Sequence, residues 1–207
     1  MNIIIPLGGV GDRFSKAGYL QPKPLIKVNG KEIICWLLDS LVINDKTDKI
    51  FIIFNPILSK YKFERFINLN YPKIKLIKLS GDTKGPCHTI TEVFKYLKNR
   101  QNHQLLICDG DTFYNEDIVK KSKKEKVNKI FYFKSLEENP IYSYLKLKKG
   151  QITDIEEKVK ISNFASVGSY LFKDTKTAKK EISNLMKKSF TIKEYYLSLV
   201  YKQMIIN

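Results

Sequence analysis

The amino-terminal segment (residues 1–25) constrains the fold most, because a short apolar run leads directly into a glycine-rich turn. Residues 1–6 read MNIIIP, and residues 7–13 read LGGVGDR. Glycines let the backbone approach a ligand closely and direct several N–H groups at it. Arg13, and Lys23 in the following sequence QPKPL, add positive charge nearby. We therefore expect a buried strand that ends in a polyphosphate-binding turn.

The turn matches neither of two familiar phosphate-binding patterns. The pattern G-x-x-x-x-G-K-[ST] is absent, and GGVGDR does not fit the G-x-G-x-x-G pattern of dinucleotide-binding folds. A GGxG sequence alone is weak evidence, since many turns between a strand and a helix carry glycines. The combination with Arg13 and Lys23 is what favours a phosphate site.

The chain carries a formal net charge of +16, yet its basic residues do not favour nucleic-acid binding. Of the 37 basic residues only Arg13, Arg65 and Arg100 are arginines, and the lysines are spread along the whole chain. Proteins that read nucleic acids commonly use arginine for bidentate contacts. We therefore expect no nucleic-acid partner, and a basic nucleic-acid-binding module is the distant alternative.

Length, hydropathy and cysteine usage favour a single cytoplasmic domain. A chain of 207 residues can bury one substantial core. The three cysteines, Cys35, Cys87 and Cys108, are far apart, which argues against a disulfide framework or a zinc site. No apolar run approaches the roughly 20 residues that span a bilayer, and the N-terminus lacks the basic start of a signal peptide. We expect no membrane partner, and the oligomeric state stays open, with a homo-oligomer among the alternatives.

Strand and helix patterns alternate along the first part of the chain, which predicts a mostly parallel α/β sheet covered by helices on both faces. The predicted strands there are 2–6, 49–54, 74–79 and 104–108, and the predicted helices are 31–43, 56–68, 86–98 and 115–121. The later part is richer in strands, with strands at 129–134, 143–147, 151–155 and 164–172 and helices at 175–186 and 193–204. Ligands of such sheets bind at the carboxyl ends of strands. The glycine turn and the sequence Asp109-Gly110-Asp111 are therefore expected to share one crevice.

These motifs together resemble a known enzyme family. The sequence G-G-x-G-x-R followed by K-P, present here at residues 8–13 and 23–24, is similar to the signature of nucleotidyltransferases with a GT-A-like Rossmann fold. The string MNIIIPLGGVGDRFSKAGYLQPKPLIKV is similar to members that serve capsule and surface-polysaccharide synthesis, some of which use CTP, such as the phosphoglutamine type. The resemblance implies one domain (1–207), with a nucleotide-binding part at 1–128 and an acceptor-binding part at 129–207.

The resemblance also implies an activity, a cofactor and a set of site residues. The activity is transfer of a nucleoside monophosphate, CMP favoured, from a nucleoside triphosphate to a sugar 1-phosphate or other small phosphomonoester, with release of pyrophosphate. Catalytic roles fall on Arg13 and Lys23, and the cofactor Mg²⁺ is implied to bind Asp111. The residues implied to bind the nucleotide are Leu7, Gly8, Gly9, Gly11, Gly85, Pro86, Thr89 and Asp109. The residues implied to bind the acceptor are Glu157, Lys158 and Asn163.

The main alternative is a GT-A-type glycosyltransferase that consumes a nucleotide sugar. In that hypothesis Asp109 and Asp111 form a D-x-D metal-binding motif. Such an enzyme does not need the sequence GGxGxR followed by Lys-Pro, so this alternative ranks second.

Overall fold

The computed structural model describes residues 1–9, 11–188 and 193–206, apart from the side chains of Asp12, Arg13 and Lys188. The strands are β1 (Asn2–Leu7), β2 (Lys27–Val28), β3 (Lys31–Glu32), β4 (Lys49–Phe54), β5 (Lys75–Lys78), β6 (Leu105–Cys108), β7 (Lys129–Lys134), β8 (Ser143–Lys148), β9 (Gln151–Glu157) and β10 (Phe164–Phe172). The helices are α1 (Asp12–Lys16), α2 (Ile33–Ser40), α3 (Phe63–Asn70), α4 (Pro86–Thr91), α5 (Ile118–Lys123), α6 (Thr175–Lys188) and α7 (Leu197–Ile206). Short 3₁₀ helices lie at Lys23–Leu25, Pro56–Tyr61, Phe94–Tyr96 and Lys98–Arg100. In the described ranges no helix is both long and apolar enough to cross a membrane.

Within the described residues, eight strands form one sheet. Its order is β5–β4–β1–β6–β10–β8–β9, and β7 also pairs with β10. Neighbouring strands in the part β5–β4–β1–β6 pair in parallel. β10 runs antiparallel to β6, β7 and β8, and β8 and β9 form an antiparallel hairpin. The predicted α/β fold, a parallel sheet with a strand-rich carboxyl-terminal half, is confirmed.

The parallel strands bury their side chains on both faces of the sheet. Ile3 and Ile5 of β1 pack into a core shared with α2, α3 and α5, whereas Ile4 packs into a second core shared with α4, α6 and α7. All three isoleucines are fully buried. Strands buried on both faces read as continuous apolar runs, as residues 1–6 do. The prediction of helices on both faces is therefore confirmed.

Two predicted helices are interrupted near their middle. The one expected at 56–68 is split by Lys62, whose left-handed conformation (φ of 56°) ends the 3₁₀ helix at Pro56–Tyr61 just before α3 begins. The one expected at 86–98 stops at Thr91 and continues as 3₁₀ turns. In α4 the hydroxyls of Thr89 and Thr91 donate to the carbonyls of Gly85 and His88, at 3.3 and 2.7 Å. Such side-chain bonds compete with the regular helical ladder.

Two other predicted helices begin later than expected. Residues 31–32 pair with residues 27–28 as a hairpin, so α2 starts at Ile33. The intervening Asn29 and Gly30 have φ values of 51° and 79°, as a two-residue hairpin turn requires. The last helix, expected at 193–204, starts at Leu197 because Tyr195 instead exchanges backbone hydrogen bonds with Lys84 and Cys87. Ile192, which the apolar spacing of this region assigns to the core together with Leu199 and Val200, lies outside the described residues.

β10 joins the parallel half of the sheet to the antiparallel half. Its residues 169–172 pair with β6 and its residues 164–165 pair with β8, while β7 follows its other edge. β6 and β8 therefore share one edge of β10, one beyond the other. The register along β10 shifts between Ser166 and Ser169, in the gap between these two partners. This gap lies directly beyond the carboxyl end of β6, where the Asp109 motif begins.

Candidate functional site

The glycine turn follows β1 at the carboxyl edge of the sheet, as predicted. Leu7 is the last residue of the strand, and its carbonyl accepts the backbone N–H of Asn55 at 2.9 Å. Gly8 lies so close to α4 that an added Cβ would stand 2.1 Å from Oγ1 of Thr89. Gly11 has a φ of 77°, and its carbonyl accepts the first backbone bonds of α1. The turn therefore needs glycine at 8 for space and at 11 for backbone conformation.

One pocket opens beside this turn and brings together several residues predicted to bind a nucleotide. It is lined by Pro6, Gly8, Gly9, Thr83, Gly85, Pro86, Thr89 and Glu194. The hydroxyls of two of these lining residues, Thr83 and Thr89, are hydrogen-bonded at 2.7 Å. Gly85 has a φ of 95°, and a Cβ there would stand 2.7 Å from Cγ of Glu194. Two segments that are far apart in sequence, the glycine turn and the start of α4, thus meet in one place.

The Asp109 motif sits at the carboxyl end of β6, next to the glycine turn. Gly110 packs against Leu7, where a Cβ would stand 2.1 Å from Cδ2. The ammonium group of Lys23 forms an ion pair with the carboxylate of Asp111. The same Nζ lies 5.0 Å from the centroid of the Phe14 ring. Two residues predicted from separate motifs are therefore in direct contact.

Asp109 is half-buried among other acidic groups. Burial, and then the negative charges of Asp111 and Glu157, raise the pKa of Asp109 to about 7, against the opposing effect of Lys23. Its backbone N–H donates to the carbonyl of Gly168 at 2.9 Å. The charges of Asp111 and Glu157 thus act on the Asp109 carboxylate, an effect that a bound cation relieves.

The donor set fits Mg²⁺ held partly by substrate. In the part of the chain that the structure describes, no group of three or more His, Cys, Asp or Glu side chains could hold a metal by itself. Mg²⁺ prefers oxygen ligands and is commonly bound by one or two carboxylates together with substrate phosphates and water. Asp109 and Asp111 supply such carboxylates beside a turn suited to phosphate.

Two of the predicted acceptor residues, Glu157 and Lys158, lie at the end of β9. Oε2 of Glu157 accepts hydrogen bonds from the hydroxyls of Ser143 and Ser198, at 2.5 and 2.7 Å. Lys158 adopts a left-handed conformation, with a φ of 54°. Its Nζ donates to the hydroxyl of Tyr196 at 2.9 Å and lies 4.7 Å from that ring's centroid. This hydrogen bond raises the pKa of Lys158 above its ordinary value, so the ammonium stays charged.

One predicted acceptor residue, Asn163, stands apart from this arrangement, and a second predicted site residue, Arg13, has no described side chain. Asn163 is exposed just before β10, and its carbonyl accepts the backbone N–H of Ser135 at 2.8 Å. Among the described residues, no hydrogen bond joins its side chain to Glu157 or Lys158. Arg13 belongs to α1 by its backbone, but its side chain lies outside the described part of the structure.

The site includes residues to which the sequence patterns assign no binding role. Asn55 reaches the carbonyl of Gly8, and Tyr196 links Lys158 to the carboxylate of Glu194 by hydrogen bonds. Ser143 and Ser198 hold Glu157 from a neighbouring strand and from α7. A polar Asn at the end of the apolar run KIFIIF was the one local signal among these. The others are brought in by tertiary packing alone.

Comparisons with known proteins identify the family of this chain. The sequence model of the family described as Nucleotidyl transferase matches residues 2–204. A bifunctional protein GlmU from Methanocaldococcus jannaschii is 28% identical over 120 residues, which cover 57% of this chain. The aligned part is only 26% of that protein, about a quarter of its length.

Solved structures share the fold over nearly the whole chain. The nucleoside-diphosphate-sugar pyrophosphorylase from Vibrio cholerae RC9 superposes with a TM-score of 0.80 at 21% identity, covering 99% of this chain and 87% of that one. The inositol-1-phosphate CTP transferase from T. maritima superposes with a TM-score of 0.73 at 15% identity, covering 99% and 81%. At these identities the likeness concerns the fold. The match of the family sequence over residues 2–204, together with the site's geometry, leads to the conclusion that this chain belongs to the nucleotidyl transferase family of enzymes.

Proposed function

We propose that this chain transfers a nucleoside monophosphate from a nucleoside triphosphate to a small phosphomonoester and releases pyrophosphate. An oxygen of the acceptor phosphate attacks the α-phosphorus, the bond to the bridging β-phosphate oxygen breaks, and pyrophosphate leaves. The observation that carries the proposal is the meeting of Lys23, Asp111 and the glycine turn at the carboxyl edge of the sheet. A site of this kind suits phosphoryl chemistry, whose barrier depends mainly on positioning and charge stabilisation.

The triphosphate is proposed to lie along the glycine turn. Backbone N–H groups of such a turn hold phosphate oxygens without any side chain. Lys23, freed from Asp111 by the arriving phosphate, stabilises negative charge that develops on the α-phosphate. Arg13 is proposed to bridge two phosphates, since its planar guanidinium group can donate to two oxygens at once.

Asp111 and Asp109 are proposed to hold Mg²⁺ together with the substrate phosphates. When bound, the ion supplies positive charge that polarises the α-phosphate and orients the attacking oxygen. The proposal is supported by the mutual proximity of the carboxylates, which, together with burial, raises the pKa of Asp109 to about 7.

The acceptor is proposed to bind between β9 and α7. Lys158, kept protonated by Tyr196, attracts the phosphate of the acceptor. Glu157, oriented by Ser143 and Ser198, accepts hydrogen bonds from polar groups of the acceptor. A phosphate dianion is already nucleophilic at neutral pH, so no general base is required.

We propose CTP as the nucleotide and a sugar 1-phosphate or related phosphomonoester as the acceptor. In support, one structural relative is named as a CTP transferase for inositol 1-phosphate, and another as a nucleoside-diphosphate-sugar pyrophosphorylase. Precursor synthesis for a capsule or surface polysaccharide is proposed from the likeness of residues 1–28 to enzymes of that kind.

The test is pyrophosphate release by the purified chain. Each of CTP, UTP, GTP, ATP and dTTP is paired with a panel of sugar 1-phosphates and small phosphomonoesters, with Mg²⁺ and, in parallel, with EDTA. We expect release from one nucleotide–acceptor pair, lost with EDTA and restored by added Mg²⁺. Release of a nucleoside diphosphate from a nucleotide sugar, with no pyrophosphate from any pair, would overturn the proposal. That outcome would favour the glycosyltransferase alternative, in which Asp109 and Asp111 hold the metal of a nucleotide sugar.

A further inference from the structure

We propose that Asn55 is a positioning residue that fixes both walls of the nucleotide pocket. It follows β4 directly and lies behind the glycine turn, where it is 3% exposed. Its amide nitrogen donates to the carbonyl of Gly8 at 3.1 Å and to Oδ1 of Asp82 at 2.8 Å. The inference rests on the proposed function, since it assigns the triphosphate to this pocket.

Every polar group of the Asn55 side chain has a partner among the described residues. Besides the two bonds from Nδ2, its Oδ1 accepts the backbone N–H of Ile57 at 3.0 Å. The backbone N–H of Asn55 also donates to the carbonyl of Leu7 at 2.9 Å. A buried amide with all its bonds made holds its surroundings in one arrangement, because any movement leaves a buried polar group unpaired.

The bond to Gly8 determines the direction of the next N–H. In a trans peptide the C=O of one residue and the N–H of the following residue point in opposite directions. When Asn55 holds the Gly8 carbonyl towards the protein interior, the N–H of Gly9 is directed away from Asn55. Gly9 lines the pocket, so this N–H is available to a phosphate oxygen. A glycine turn has no side chains of its own to fix this orientation, which is why an outside anchor matters.

The bond to Asp82 also fixes the second segment that lines the pocket, which contains Thr83 and Gly85. Asp82 precedes Thr83 and Gly85, both of which line the pocket. Thr83 in turn contacts Thr89, whose hydroxyl lies against Gly8. One side chain therefore joins two loops that are far apart in sequence and face the same ligand.

The variant Asn55→Asp separates this role from local structure. An aspartate at 55 still accepts the N–H of Ile57, so the 3₁₀ helix at Pro56–Tyr61 keeps its cap. It can no longer donate to Gly8, and it repels Asp82. We expect the KM for the nucleotide to rise at least tenfold, with the KM for the acceptor unchanged. Hydrogen exchange of the free protein should accelerate in the peptides that contain residues 8–9 and 80–85.

Two further variants make the test specific. In the double variant Asn55→Asp/Asp82→Asn, the amide at 82 donates to the carboxylate at 55. We expect exchange in 80–85 to return to the wild-type rate, while exchange in 8–9 and the nucleotide KM stay raised. Asn70→Asp is the matched control, because Asn70 is exposed at the end of α3 and, among the described residues, donates only to the backbone carbonyl of Phe66. Asn70→Asp should change neither the exchange rates of these peptides nor the nucleotide KM.

The outcomes separate this inference from the proposed function. Kinetics are measured with the nucleotide and acceptor that the wild type uses, found by assaying CTP, UTP, GTP, ATP and dTTP. If the wild type releases pyrophosphate and Asn55→Asp has the same nucleotide KM and exchange rates, Asn55 is not a positioning residue. If the wild type releases none from any pair, the proposed function fails, and the exchange rates alone decide whether Asn55 anchors the turn.

A last variant applies if Asn55→Asp does not fold. Asp82→Ala keeps the bond from Asn55 to Gly8 and should accelerate exchange in 80–85 only. An unchanged rate there would then overturn the link between the two walls.

Discussion

Gly168 in β10 lies directly against the carboxylate of Asp109. A Cβ at position 168 would stand 2.3 Å from Oδ2 of Asp109, and the carbonyl of Gly168 accepts the Asp109 N–H at 2.9 Å. Gly168 also has a φ of 75°, in the left-handed region that favours glycine. The register of β10 shifts at this point. The backbone of Gly168, in the antiparallel half of the sheet, therefore packs against the side chain of Asp109, which follows the parallel strand β6.

Gly168→Ala should reduce both stability and activity. The left-handed conformation costs a residue with a Cβ about 1–2 kcal/mol, and the contact with Asp109 adds about 1–3 kcal/mol of overpacking. Gly150→Ala is the matched control, because Gly150 has a φ of 76° with open space around it. Urea unfolding should show a loss for both variants and a larger loss for Gly168→Ala. Pyrophosphate release should fall only in Gly168→Ala, and equal activity in the two variants would contradict this account.

Lys23→Ala should lower the rate of pyrophosphate release by roughly 10²–10³-fold, which is typical of removing one group that stabilises charge in a transition state. The reason is that the ion pair with Asp111 places Lys23 beside the glycine turn, where the triphosphate is proposed to bind. Lys27→Ala is the control, since Lys27 is 61% exposed and pairs with Glu32 on the β2–β3 hairpin. Far-ultraviolet circular dichroism should show both variants folded. A folded Lys23→Ala protein with near wild-type activity would exclude a catalytic role for this lysine.

Arg13→Ala should cause a loss of the same order, roughly 10²–10³-fold, for the same physical reason. The expectation rests on the position of Arg13 in the GGxGxR sequence, at the start of α1. Arg65→Ala, a change on the exposed side of α3, is the matched control. The measurement is the steady-state rate of pyrophosphate release by each folded variant. Similar rates for Arg13→Ala and Arg65→Ala would contradict a catalytic role for Arg13.

Glu157→Gln should weaken acceptor binding without affecting the nucleotide. The variant keeps its size and an oxygen for Ser143 and Ser198, but loses the charge that strengthens hydrogen bonds with the acceptor. A hydrogen bond to a charged group contributes about 1.5–3 kcal/mol, so we expect the acceptor KM to rise about 10–100-fold. Glu156→Gln is the control, because Glu156 instead pairs with Lys202. A rise in the nucleotide KM with an unchanged acceptor KM would contradict the placement of Glu157 at the acceptor.

Much of the fold could be predicted because the strands are buried on both faces or alternate clearly. The bounds expected for 49–54, 129–134 and 164–172 agree with β4, β7 and β10 to the residue. The hairpin at 27–32 is not among the predicted elements although Asn29-Gly30 is a strong turn signal, because the predicted helix 31–43 includes its second strand, residues 31–32.

Helix starts were predicted less well, because side chains and distant backbone groups decide them. The helix expected from residue 115 begins at Ile118, where Asp117 accepts the backbone N–H of Lys120 at 2.8 Å. Tyr195 is kept out of the last helix by backbone bonds to Lys84 and Cys87, a tertiary effect that apolar spacing does not show.

The motifs of the site could be predicted from the sequence, but the residues that hydrogen-bond to those motifs could not. The glycine turn and Asp111 follow strand ends, so the rule for parallel sheets suffices to bring them together. Asn55, Ser143 and Tyr196 instead bind site residues that lie 27, 14 and 38 positions away in sequence. Their roles depend on strand register and on the packing of α7, which neither composition nor periodicity specifies.

The amino ends of the parallel strands carry a second acidic group whose effect on stability should depend on pH. Asp48 is buried and accepts from the Met1 ammonium group at 3.1 Å and from Lys123 at 2.6 Å. Burial alone would raise the pKa of Asp48, but hydrogen bonds from Lys123, the Asn44 N–H and the Met1 ammonium hold it below its ordinary value. Because the native pKa is depressed, the unfolded chain binds the proton first as the pH falls. The contribution to stability is therefore complete above about pH 4 and is lost as the pH falls through the native pKa.

Asp48→Asn should consequently destabilise the protein by about 3–5 kcal/mol at pH 7, because it leaves two cationic groups near a neutral amide. Asp45→Asn is the matched control, since Asp45 pairs with Lys73 at an exposed position where an ion pair contributes about 0–1 kcal/mol. Urea unfolding at pH 7, 5 and 3 measures both. The difference in unfolding free energy between wild type and Asp48→Asn should narrow from pH 5 to pH 3, because protonation of Asp48 then removes the same charge from the wild type. A gap that is as wide at pH 3 as at pH 7 would mean that the substituted amide disturbs packing, and that the charge of Asp48 contributes little to stability.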